Sequence, residues 1–206
     1  MPQSFGQFSP GPDGRFVSGA PRPKFRLLAA FGFRDPQGRV WEVPAGVEVD
    51  GASIPRAFWT VIGGPFEGNY LNASVVHDHF CRVRTRTAQD THRSFYYGMR
   101  AMGVAEPQAK KMFWAVSTFG PKWELVRQRS GPEEMPGRDE EVAVPVPEVD
   151  LEAAATRARA EERFREVSEV LQESDGSRMP GESDASLESI EADAARFRSS
   201  LRGEEP

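Results

Sequence analysis

Residues 70–83 read YLNASVVHDHFCRV, and residues 88–102 read AQDTHRSFYYGMRAM. In the first stretch Leu71, Val75, Val76, Phe80 and Val83 fall on or near one face at helical spacing. In the second, Phe95, Met99 and Met102 do the same. Thr87-Ala88-Gln89-Asp90 opens the second helix as a variant capping box, with a carboxylate at the third helical position. A third helix is expected from about Pro107 to Phe119, carrying Met112, Phe113 and Val116, with Trp123 packing back on it after Gly120-Pro121.

Upstream of these helices the pattern changes period. Lys24–Phe33 is a short apolar run, Asp35-Pro36-Gln37-Gly38 is a turn, and Arg39–Val43 alternates charged and apolar residues up to Pro44. Val47-Glu48-Val49-Asp50 alternates again, so residues 25–50 read as an antiparallel meander with one buried face. Ser53 is a candidate N-cap, with Pro55 in the first turn of a short helix over 55–62 and a glycine-bearing loop over 63–69. The fold class is therefore α+β: a small antiparallel sheet followed by a three-helix bundle, with an acidic, helical or disordered C-terminal tail.

Large side chains and charge mark the organisation. All four Trp, all three Tyr, all three His and the single Cys precede residue 130; beyond it the aromatics are Phe164 and Phe197. Residues 1–130 carry 17 bases against 10 acids, net +7, whereas residues 131–206 carry 9 Arg against 21 acids, net −12. Three segments follow: a flexible arm over 1–23, a compact α+β domain over 24–129, and an acidic linker and tail over 130–206. The Pro-, Glu- and Val-rich stretch 130–149 reads as linker, 151–173 and 187–201 as helices, and 174–186 as disordered. The segment beyond 130 is expected to be dispensable for the fold. It either stays solvated, folds back over the basic domain, or binds a basic protein partner.

One cysteine excludes an internal disulfide framework. No apolar run is long enough for a transmembrane span or a secretory signal, so a cytoplasmic location is expected, in a host cell or associated with a virion.

The chemistry concentrates in Val76-His77-Asp78-His79-Phe80-Cys81, followed by Asp90 and His92. His77 and Cys81 share a helix face, and Asp78 lies about 100° round from His77. A helix running back alongside would bring Asp90 or His92 near. With the turn centred at 84–87, His77 lies opposite about residue 94, not 90; a His92–Asp78 approach has a smaller offset, and a wide or frayed turn closes the gap for Asp90. A His acting as base through one nitrogen needs an acceptor on the other, and a carboxylate supplies one. A carboxylate and loop carbonyls suit a hard cation such as Ca2+. Plainer roles exist for each residue. Asp90 serves as a capping acid, Cys81 as a small buried hydrophobe, His77 as a satisfied core imidazole, His92 as a core-border residue and His79 as a surface residue.

From Val43 to Trp123 the chain resembles an uncharacterised family of small proteins common in bacteriophages and prophages. The resemblance rests on Val43-Pro44-Ala45-Gly46, Asp50-Gly51-Ala52-Ser53-Ile54-Pro55-Arg56, Ala73-Ser74-Val75-Val76-His77-Asp78, Arg86 with Asp90, and Ala115–Gly120. It implies a viral or prophage origin, and it groups Asp50 and Ser53 with His77 and Asp78. A thinner resemblance is to phospholipase A2 enzymes, in the order of a glycine-rich loop (Gly64–Asn69), a His-Asp helix and a partner Asp. Cys81 stands where that family has Tyr, the His-to-Asp spacing is short, and the disulfides of secreted members are missing.

The resulting expectation is a metal-assisted hydrolase acting on a lipid ester or a cell-envelope component. His77 would be the general base, Asp90 would orient it, and Asp78 with Gly64 and Gly68 would hold Ca2+. Asp50, Ser53 and His92 would support the site. The alternatives are a non-enzymatic phage-type structural or interaction protein, in which the cluster is a buried polar network, and a Zn2+ site at His77, Cys81 and His92. No nucleic-acid-binding motif is present.

Overall fold

Asp35 explains why the first hairpin turns where it does. Its buried carboxylate accepts hydrogen bonds from the Gln37 and Arg39 amides through Oδ1, and from Arg39 Nε and Trp41 Nε1 through Oδ2. The computed structural model describes residues 4–18, 24–51, 68–130, 138–151, 153–173 and 186–203. Ser53, the short helix at 55–62, Gly64 and residues 174–185 lie outside them.

Six short strands open the described chain: β1 (Gln7–Phe8), β2 (Gly14–Val17), β3 (Lys24–Leu27), β4 (Phe31–Arg34), β5 (Val40–Val43) and β6 (Glu48–Val49). They form two antiparallel sheets of three, ordered β1-β4-β5 and β2-β3-β6. The expected single meander is thus divided: Phe31 pairs with Val43 in one sheet and Phe25 with Val49 in the other. Residues 7–8 and 14–17, read from sequence as part of a mobile arm, supply an edge strand to each sheet. The reason is aromatic packing that Pro and Gly content conceals. Phe8 lies 5.5 Å from Phe31 and 4.5 Å from Phe33 between ring centroids. A Cβ on Gly14 would meet the Phe25 ring at 2.4 Å, so only glycine admits β2 here.

Three antiparallel-connected helices follow: α1 (Leu71–Val83), α2 (Ala88–Ala101) and α3 (Glu106–Phe119). Val75, Val76 and Phe80 of α1 join Phe25, Leu27, Phe31, Phe33, Trp41, Val43 and Val49 in one core, as the alternation of the strands requires. α1 stops at Arg84, whose φ of 54° is left-handed, and Thr87 caps α2 by accepting the Asp90 amide.

Beyond α3 the chain departs further from expectation. Strand β7 (Lys122–Ser130) pairs with β8 (Arg138–Val146), so much of the supposed linker is half of a hairpin. The tail is helical as expected, in α4 (Ala154–Glu173) and α5 (Leu187–Arg202), but these helices are packed rather than solvated. Phe164, Leu171, Ile190 and Ala194 are buried in one cluster with Trp114 and Phe119 of α3. Arg198, itself buried, donates to the Thr118 and Gly120 carbonyls at the end of α3 and to the Pro147 carbonyl. A cation at a helix C-terminus meets both the orphan carbonyls and the negative end of the dipole. Among the described residues no helix is long and apolar enough to cross a membrane.

Candidate metal centre

The turn from α1 into α2 sets the register of the site. His77 sits between His92 and Phe95, with ring centroids 5.2 and 4.7 Å away, bracketing the expected position 94. His77 Nε2 is 2.9 Å from His92 Nδ1. One turn along α1, Cys81 Sγ is 3.5 Å from the same Nε2 and 3.9 Å from Nδ1. The candidate ligand atoms of His77, Cys81 and His92 lie within 4.8 Å of one another, and all three residues are buried.

These separations suit a small tetrahedral cation. Zn–N and Zn–S bonds of about 2.0 and 2.3 Å place tetrahedral N and S donors about 3.5 Å apart and two N donors about 3.3 Å apart. The Cys81–His77 S···N distance already matches. The N···N distance needs to open by a few tenths of an ångström, within the reach of small ring rotations.

Electrostatics favour neutral rings. Burial pushes His77 down from 6.5 to about 3. His92 is also held well below its ordinary value, by burial first, then by the adjacent His77 ring and Lys122. The Pro121 carbonyl opposes that shift slightly, yet His92 Nε2 is buried without a hydrogen bond of ordinary geometry. Two buried neutral imidazoles beside a thiol are the protonation states a metal needs on its nitrogens.

The other expected residues go elsewhere. Asp90 does not orient His77; that place is taken by His92. Its carboxylate instead pairs with Arg39 at 2.6 Å, and this ion pair outweighs partial burial to keep Asp90 acidic. Asp78 is buried, accepts the Asp50 amide at 3.0 Å and has Arg82 at 3.7 Å. Burial, reinforced by the nearby Asp50 charge, raises its carboxyl to about 6. Asp50 therefore does join Asp78, tying the end of the sheet region to α1. Gly68 starts a 3-10 turn, Gly68–Tyr70, that leads into α1. His79, expected at the surface, is largely covered, with its ring edge-on to Phe80 at 5.2 Å.

With this geometry in place, comparison with known proteins adds an outline. Residues 25–116 match a family described as "Protein of unknown function (DUF1353)". That span contains His77, Cys81 and His92 together with β4, β5 and β6. Two similar proteins come from Sinorhizobium fredii (strain NBRC 101917 / NGR234). Uncharacterized protein y4jT is 46% identical over 210 residues, covering 94% of this chain and 62% of that protein. Uncharacterized protein y4iH is 43% identical over 97 residues, covering 47% of this chain and 41% of that protein. The chain thus spans less than two thirds of either relative. No solved structure matches it.

Sequence reasoning put His77 and Cys81 on one face and allowed His92 as their partner. It missed a second feature. A cavity of about 490 Å³ abuts His92, lined also by Ser117 and Lys122. Neither residue belongs to a recognisable motif, and the elements that close the cavity are far apart in the chain.

Proposed function

We propose that this domain is a metal-binding module whose His77, Cys81 and His92 hold a zinc-class cation between α1 and α2. The observation that carries the reading is the convergence of two neutral imidazole nitrogens and a thiol within 4.8 Å in the interior. Soft sulfur with imidazole nitrogen selects zinc-class metals over Ca2+, which prefers oxygen. Asp78, the residue expected to hold Ca2+, is engaged by the Asp50 amide and faced by Arg82. Three protein ligands leave a fourth tetrahedral position, as in catalytic zinc sites rather than closed structural ones. A water there would be activated for attack on an ester or amide. This is the form the hydrolase reading takes, with a lipid ester among its candidate substrates.

A second reading has its own support. The 2.9 Å contact between His77 and His92 is already a hydrogen bond, so the cluster also works as a metal-free clamp between α1 and α2. Elemental analysis of the purified chain separates the two. The metal reading expects close to one equivalent of zinc, removed by chelation, restored on readdition, and lost in Cys81→Ser. It also expects zinc to raise the melting temperature of stripped wild type but not of Cys81→Ser. A chain that takes up no zinc, and melts identically with zinc or chelator, leaves the clamp standing.

A further inference from the structure

The cavity beside His92 is walled by α2, α3, β7, β8 and α5, through Thr87, Ala88, Ser117, Lys122, Trp123 and Ala195 among others. At about 490 Å³ it has the size of a small-molecule pocket. Part of its buried polar lining is unpartnered. Ser117 Oγ is buried without a hydrogen-bonding partner, and His92 Nε2 is buried without a hydrogen bond of ordinary geometry, with the Pro121 carbonyl near it. Lys122 is largely covered, and among the described residues no carboxylate lies within ion-pair distance of it. Burial, with Arg198 nearby, pulls its ammonium down to about 8, and the Glu191 carboxylate offsets this only in part. Buried polar groups left unpaired are rare enough to need an explanation.

Two carboxylates also line the cavity. Glu191 is already committed to Arg93 and Gln89, at 2.7–2.8 Å, and Glu124 sits on β7. They make the pocket unfriendly to a polyanion while leaving room for a single negative charge. Ala88, Trp123, Leu125, Val146 and Ala195 supply an apolar lining for the remainder of a ligand.

We propose that this cavity binds a small organic monoanion, a carboxylate on an apolar body, with Lys122 as its counter-charge and Ser117 as a neutral donor. The proposal stands apart from the metal reading, since Lys122 and Ser117 donate whether or not metal is present. A metal on His92 Nδ1 would add a third donor by fixing the ring proton on Nε2. The pocket is also distinct in the chain: Ser117, Lys122 and Ala195 all lie beyond residue 116, where the family match ends.

Isothermal titration of the full chain with octanoate, 1-octanol and inorganic phosphate tests it, with zinc content measured on the same samples. Octanoate should bind saturably at one site, and octanol and phosphate about tenfold or more weaker, since one lacks the charge and the other the apolar body. Lys122→Gln should weaken octanoate by about tenfold or more, the scale of a hydrogen bond to a charged group. Ala195→Phe changes an exposed position on the pocket wall, so the fold tolerates it, and should block binding by filling the space. Neither change should alter zinc content. No saturable octanoate binding, equal binding by Lys122→Gln and Ala195→Phe, or phosphate binding as tightly as octanoate would each overturn the proposal. A zinc-free wild type that still binds octanoate would sink the metal centre and leave the pocket intact.

Discussion

His92 and Arg93 are neighbours on α2 and serve opposite kinds of contact. His92 turns toward α1, where His77 and Cys81 meet it in a buried, uncharged cluster. Arg93 turns toward α5, where it pairs with Glu191 and Glu188. The first contact joins two helices adjacent in sequence by neutral groups whose hydrogen-bonding capacity is not fully used. The second joins elements about a hundred residues apart by matched charges. The comparison teaches what each region is built to do. Matched charges dock the acidic C-terminal helices on the basic domain, while underused neutral donors remain available to a ligand.

The largest effect that would break this contrast comes from removing α4 and α5. A chain ending at residue 150 loses Phe164, Leu171 and Ile190, each of which contributes about 1.5–3 kcal/mol when fully buried. It also uncovers Trp114 and Phe119 and strips Arg198 from three carbonyls. The loss, about 5–9 kcal/mol as an upper bound, is comparable to the whole stability of a domain. The fragment is expected to unfold or aggregate in a urea or thermal melt. A fragment melting like the full chain would show that residue 130 is a stability boundary after all, and that the docking contacts are ornamental.

That expectation reverses the reading from sequence, for identifiable physical reasons. The helices of the domain were legible because Val75, Val76, Phe80, Phe95 and Met99 repeat at helical spacing, and a turn centred at 84–87 then put His77 opposite about residue 94. The docking of the tail was not legible. Its buried residues are dispersed among acids and arginines, and their partner surface on α3 is visible only once folded. β8 was hidden by Pro145, which an edge position in a two-stranded ribbon tolerates. Asp90 was assigned to His77 because a carboxylate on the helix running back could supply the acceptor a base needs; its actual partner, Arg39, is 51 residues away on the hairpin. Ser117 and Lys122 carried no motif, and their significance comes entirely from the cavity that distant elements close around them.

Acid should separate the two regions next. His77 and His92 have folded-state values below their unfolded value of 6.5, so in acid the unfolded chain binds protons that the fold refuses. Stability of the metal-free protein is therefore present above pH 6.5 and falls as pH drops toward 3, by about 1.4 kcal/mol per pH unit for each buried imidazole. His79 acts in the same direction, more weakly. Asp78 acts oppositely: raised from 3.8 to about 6, it favours the fold where it is protonated, and cancels about one imidazole between pH 6 and 4. Urea titrations across pH 7 to 4 should show a steep loss below 6.5 that eases below 6. His92→Phe should flatten the profile if the buried ring is its source; an unchanged profile would place the acid sensitivity elsewhere.

The smallest expected effect tests the charged side of the comparison. Arg93 and Glu191 keep 22% and 17% of their side-chain surface, so their pairing is neither fully desolvated nor fully screened. Exposed ion pairs contribute about 0.2–1 kcal/mol, and hydrogen bonds to charged groups add to that when water is partly excluded. A double-mutant cycle with Arg93→Gln and Glu191→Gln should give a coupling of about 1 kcal/mol in low salt. Glu188, 69% exposed, should couple to Arg93 more weakly. In 1 M salt the Debye length shrinks to about 3 Å, so the exposed part of the coupling should fall while the direct contact at 2.7 Å survives in part. Zero coupling in low salt would mean that α5 docks by apolar packing alone and that the charge reversal along the chain serves solubility. A coupling of several kcal/mol indifferent to salt would mean that this contact is as dry as the His77–His92 cluster, and the distinction between the two faces of α2 would collapse.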